Sequence, residues 1–251
     1  MNDPHVVALH YAVVIGADSD FEKAPPLQHT ELAFQVEVTS AGATFATRQH
    51  FASVEDARAV VQPFVDAWNT LSDVEKGTGV FRLEYRNAEV IDRSPQPGMA
   101  HVQGIAIGTS AAIGVAARVS YASFPKPPVG FATSSEVAAM HWQYRGYKRG
   151  QIPLTSMAYF VLTILEDGRG RPGAARRWNV HPLVLSKIGD LTANKGGAFA
   201  RKARGLHAEL SAAEQSWLEQ AIRVLIRRAG EIAADPTATR PQITMADLPP
   251  L

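Results

Sequence analysis

The chain of 251 residues has no cysteine. That excludes disulfide cross-links, thiolate nucleophiles and Cys-ligated zinc. Long hydrophobic runs are also missing. The longest uncharged apolar stretch, Val102 to Ala117 in "HVQGIAIGTSAAIGVAAR", is too short for a membrane span and is broken by Gly, Ser and Thr. No basic leader precedes the first apolar run, "MNDPHVVALHYAVVIG", where Asp3 stands instead, so no secretory signal is expected. These absences predict a cytoplasmic protein with no membrane partner. The eight histidines, at 5, 10, 29, 50, 101, 141, 181 and 207, form no HExxH or HxH spacing. There is no GxSxG elbow, and the glycines of "GIAIGTSAAIG" do not fall into GxGxxG. No metal and no cofactor is expected.

What is present supports a folded chain: 46% hydrophobic residues against 20% charged ones suffice for a buried core. The net charge of +1 conceals an asymmetry. Residues 1–140 hold 9 Lys/Arg against 15 Asp/Glu, a net of −6; residues 141–204 hold 12 against 3, a net of +9; residues 205–251 hold 4 against 6, a net of −2. A basic block of that size fits an acidic partner, RNA among them, or an acidic surface of a second copy in a homodimer or protein complex. It equally fits a solvated face that answers the chain's own carboxylates.

The residue pattern predicts an α+β protein: a small N-terminal antiparallel sheet with one packed helix, then a C-terminal all-α bundle. "HVVALHYAVVIG" is a β-branched strand, and "ELAFQVEVTS" alternates Leu32, Phe34, Val36 and Val38 on one face. "ATFATRQHF" returns as its hairpin partner. Ser53 with Asp56 opens a helix in "VEDARAVVQPFVDAWNTL", which Pro63 should kink. "GVFRLEYRNAEVIDR" reads as two short strands about Arg86-Asn87. Further on, Thr133 with Glu136, Pro153, Pro182 and Ser211 with Glu214 mark helix starts, and "IPLTSMAYFVLTILEDG" is the central buried helix. "HPLVLSKIG" should stop at Gly189, and "GAFARKARG" should form another helix that stops at Gly205. The expected divisions are an α+β domain over 1–98, a strand or linker over 99–130, a helical bundle over 131–235 and an irregular tail over 236–251.

"VVIGADSDFEKA" asks whether Asp18 and Asp20 serve an active site. The string lacks the glycines and the Lys-Ser/Thr of a phosphate loop, and two carboxylates alone are a slight basis for Mg²⁺. It reads as a polar turn between strands.

In the basic block, Trp142, Tyr144, Tyr147 and Trp178 interleave with Arg145, Lys148, Arg149, Arg176 and Arg177. Rings beside cations can stack on unpaired bases while the cations neutralise phosphates. They can also form the inward face of a bundle, the reading preferred for Trp142. "FARKARGLH" adds Arg201, Lys202, Arg204 and His207. With the helical second half, over roughly residues 133–235, it resembles the HEPN superfamily, whose signature is Arg, a polar residue, several variable positions and His, with four to six residues between Arg and His; here five residues separate Arg201 from His207. The resemblance implies metal-independent RNA cleavage in a dimer, with His207 moving the proton and Arg201 holding the developing phosphorane charge. The chain as a whole resembles a family of bacterial proteins through "MAYFVLTILE" and "LSAAEQSWLEQAIRVLIRRAGE", a likeness that brings no activity with it. Two functions follow as expectations. The first is a non-catalytic interaction or sensor module with a basic, RNA-binding helical domain, in which Arg145, Lys148, Arg149, Arg176, Arg177, Lys202 and Arg204 meet the nucleic acid. The second is an HEPN-like endoribonuclease of defence or toxin type.

Overall fold

A computed structural model describes residues 3–94, 118–195 and 208–251. The chain forms two compact units, residues 1–128 and 129–251. It is an α+β protein, with a five-stranded antiparallel sheet and one long helix in the first unit and helices in the second.

In the first unit, β1 (Pro4–Val14), β3 (Leu27–Thr30), β4 (Phe34–Thr39), β5 (Gly42–Thr47) and β6 (Arg82–Asp92) pair in the order β3-β4-β5-β1-β6. Along β4 the alternation is strict: Phe34, Val36 and Val38 are buried while Gln35 and Glu37 face water. Leu32 departs from the expected face because it precedes the strand, and it is exposed. The helix α1 (Val54–Lys76) is capped by Ser53, whose side chain accepts from the Asp56 amide, and it runs through Pro63 without ending. Its inner face sets Phe64 and Trp68 against the sheet. The Phe64 ring meets Phe34 at 5.2 Å and Trp68 at 5.6 Å between centroids, within the usual range for aromatic pairs. Asn69, buried on α1, donates to the Leu83 carbonyl at 3.0 Å and accepts from the Leu83 amide at 2.8 Å, so a side chain completes the ladder where β6 begins. The two short strands expected over residues 80–93 are one strand. An extra residue, Arg86, is taken up between the pairs His10–Asn87 and Tyr11–Tyr85 as a bulge, which keeps pairing continuous across the break in alternation.

The "VVIGADSDFEKA" stretch is a loop with a two-residue strand in it. Ser19 and Asp20 (β2) pair in parallel with Val119 and Ser120 (β7). Phe21, fully buried, stacks on Tyr121 at 5.0 Å and on Phe124 at 5.2 Å, and the Trp68 indole donates to the Pro125 carbonyl. Residues 119–125 therefore complete the core of the first unit. The loop's structural contribution is an aromatic anchor. The Asp20 carboxylate accepts from the Glu22 amide at 2.7 Å.

The second unit holds α2 (Ser135–Lys148), α3 (Leu154–Glu166), α4 (Gly170–Trp178), α5 (Pro182–Asn194) and α6 (Ala212–Ala234). The cap of α2 is Ser134, one residue beyond the expected Thr133, and it accepts from the Val137 amide. α6 opens with the expected Ser211–Glu214 capping box. α3 buries Met157, Ala158, Val161, Leu162 and Leu165 but leaves Tyr159 and Phe160 over a third exposed, so it is amphipathic rather than enclosed. α5 does not stop at Gly189 but runs on to Asn194, and the glycine there makes room for the Arg171 guanidinium, which lies where a Cβ would stand. The sequence pattern marks no helix over α4, which contains Gly170, Pro172 and Gly173. Packing of Ala174, Ala175 and Trp178 holds it, with the Trp178 indole donating to the Leu165 carbonyl at 2.9 Å.

The tail is irregular yet anchored. Ile243 bridges Val180, and buried Arg228 of α6 donates to the carbonyls of Trp178, Asn179 and Pro241 at 2.9–3.2 Å. Among the described residues, no helix is long and apolar enough to cross a membrane.

Candidate nucleic-acid interface

The helix α2 carries the most informative surface. Val137, Met140, His141 and Tyr144 recur at helical spacing and are buried, which turns the opposite stripe outward. Trp142 stands on that stripe, 68% exposed, with Arg145 one turn further and Arg149 at the helix end. The inward reading of Trp142 is thus corrected: at about 100° per residue it lies about 150° around the helix from the centre of the face made by Val137, Met140, His141 and Tyr144. Trp68, Trp178 and Trp217 are all buried. An indole so exposed, followed by two arginines along the helix, offers a flat π-face with cations within reach of a phosphate chain.

The other cations of the block are mostly engaged. Lys148 donates to Glu219 of α6 at 2.8 Å, and Tyr147 donates to the same carboxylate at 2.9 Å. Burial alone raises the Glu219 carboxyl, but the bonds from Lys148 and Tyr147 prevail and hold it below the usual carboxylate range. Burial, reinforced by that carboxylate, pushes the Tyr147 phenol up to about 12 and raises Tyr144 as well. Arg177 donates to Glu136 at 2.8 and 3.1 Å and to Asp167 at 3.4 Å, and its guanidinium covers the Trp178 ring at 4.3 Å. Arg169 pairs with Asp167, Arg171 with Glu166 and Lys195 with Glu214. Arg149, Arg176 and Lys187 make no side-chain ion pair among the described residues. Much of the basic block answers the unit's own carboxylates, and the charge count in the sequence overstates the free positive surface.

Arg176 and Arg177 do come together. With Arg169 and Gly173 they line a shallow depression along α4, about 500 Å³ in volume. Sequence reasoning missed Arg169, which precedes a helix that the sequence pattern does not mark. Arg201, Lys202, Arg204 and His207 lie outside the described residues. Among the described residues, no group of three His, Asp or Glu side chains is placed to hold a metal ion. In comparisons with known proteins, no family model, no curated protein and no solved structure matches the chain.

Proposed function

We propose that the protein is a binding module whose helical unit takes up single-stranded nucleic acid, RNA first among candidates, along the outward stripe of α2. The exposure of Trp142 beside Arg145 and Arg149 carries this reading. A side chain of this size is normally drawn into a core or an interface, and here the core positions of α2 are already filled by its neighbours. Its ring supplies stacking without base preference, and Arg149 together with Arg176 on α4, neither of them ion-paired among the described residues, supplies phosphate contacts. The module binds and does not cut. No observation on the described residues favours the endoribonuclease reading of Arg201 and His207.

Fluorescence anisotropy of a labelled single-stranded RNA, compared with the same sequence as a duplex, tests the proposal at about 50 mM and about 200 mM salt. The single strand should bind more tightly than the duplex, and affinity should fall as salt rises. Trp142→Ala should weaken single-strand binding about tenfold, the scale of one lost stacking contact. Absence of binding at the lower salt, or equal affinity for Trp142→Ala, overturns the reading.

A further inference from the structure

A pair of histidines at one corner of the first unit carries an inference independent of the proposed function. We infer that His5 and His50 form a proton-sharing clasp that ties the start of β1 to the segment leading into α1 at neutral pH and lets it go on acidification.

The His5 Nδ1 and His50 Nδ1 atoms lie 3.2 Å apart, and the rings stack at 5.2 Å between centroids with 25° between their planes. Two imidazole nitrogens at that distance make a hydrogen bond only when one bears the hydrogen and the other offers a lone pair. Once both rings are protonated, both Nδ1 atoms are donors. The bond is lost, and two cations are left in contact. The surroundings do not rescue a doubly charged pair. Asp3 faces it, with a carboxylate oxygen 3.9 Å from His50 Nε2. From β6 and the residue after it come Asp92, already accepting from the Asp3 and Ser94 amides, and Arg93, whose positive charge opposes a further cation. At the start of α1, the Asp56 carboxylate accepts from the Ser53 hydroxyl, and Glu55 stands beside it.

His5 is held below the ordinary imidazole value by burial first, then by Arg93 and His50, with Asp3 offsetting part of this. A folded value below the unfolded 6.5 contributes stability that is present above pH 6.5 and lost as pH falls through the folded value. The clasp therefore fails on the acid side. The backbone at this corner reports the change, since the Val6 amide donates to the Phe51 carbonyl at 2.9 Å and the Thr47 hydroxyl donates to the Val6 carbonyl.

Hydrogen exchange of the Val6 amide in the full chain, corrected for intrinsic rates, tests this at about pH 7.5 and about pH 5. Protection in the wild type should fall about tenfold on acidification. In His50→Asn, whose amide can donate to or accept from His5 by turning over, protection should be kept at both values. In His50→Phe, which preserves a ring and removes the bond, protection should be low at both. Equal wild-type protection at the two pH values overturns the clasp, as does a wild-type-like fall in either variant.

Discussion

The two units solve the same packing problem with different side chains. The sheet unit, with 9 Lys/Arg and 14 Asp/Glu over residues 1–128, is held by aromatic rings: Phe34, Phe45, Phe64, Trp68, Phe81, Phe124 and Phe21 form a continuous run, each ring meeting the next. The helical unit, with 16 Lys/Arg and 10 Asp/Glu over residues 129–251, uses charge as mortar between helices. Glu219 gathers Lys148, Tyr144 and Tyr147 from α2, Glu136 receives Arg177 from α4, and Arg228 pins the tail. Charge in the first unit lies mainly at the rim; in the second, much of it is internal fastening. A basic segment is evidence of a binding surface only for the cations left over once such fastenings are counted.

The largest effect that separates the units should come from the aromatic core. Trp68→Ala removes a fully buried indole, its ring contacts with Phe64 and Phe81 and its bond to Pro125, and should cost about 4 kcal/mol. Calorimetry should show the loss in the sheet unit's transition and leave the helical unit's in place. A common shift of all unfolding would show that the two melt as one. Next in size, Arg228→Met leaves three backbone carbonyls without their donor and should cost about 2 kcal/mol. The released tail should become open to trypsin at Arg240, whose side chain is otherwise tied to the carbonyls of Glu231, Asp235 and Ala238.

How much of this was legible is a matter of local against distant causes. The Ser53 and Ser211 caps and the alternation of β4 are encoded within a few residues, and each stands where the pattern put it. The failures are tertiary. α4 exists because Trp178 and its neighbouring alanines find a core, which overrides two glycines and a proline. β6 stays single because β1 absorbs its bulge. Of the candidate site, Trp142 was misplaced although the signal was available, since Val137, Met140 and Tyr144 already define the inner face of α2. The engagement of Lys148 and Arg177 was not readable, because their carboxylate partners lie 71 and 41 residues away in sequence.

A pH series sharpens the contrast further. The Glu219 carboxyl is depressed in the folded protein, so its contribution to the helical unit is present above the ordinary value of about 4.3 and disappears as pH falls through the folded one. The raised Tyr147 phenol behaves oppositely: its contribution is intact below 10 and is lost as pH climbs toward about 12. Glu219→Gln should flatten the acid limb of the helical unit's stability curve, as followed by circular dichroism at 222 nm on residues 129–251. An unchanged acid limb would remove Glu219 from the fastenings. The smallest stability effects belong to the cations that make no ion pair among the described residues. Arg149→Gln and Arg176→Gln should each shift stability by less than about 0.5 kcal/mol. Both should nevertheless lower nucleic-acid affinity for all sequences alike and reduce its salt dependence. A loss of stability comparable with that of Arg228→Met would place them among the fastenings instead.

The central claim, that α2 presents a stacking surface, has a built-in reporter. Because Trp68, Trp178 and Trp217 are buried and Trp142 is 68% exposed, quenching of tryptophan emission by an added ligand reads chiefly Trp142. Titration with single-stranded oligouridylate at low salt should quench the emission saturably, and the quenching should vanish in Trp142→Phe while that variant retains most of its binding by anisotropy. Binding by anisotropy with no change in wild-type tryptophan emission would contradict the account, because the nucleic acid would then lie elsewhere.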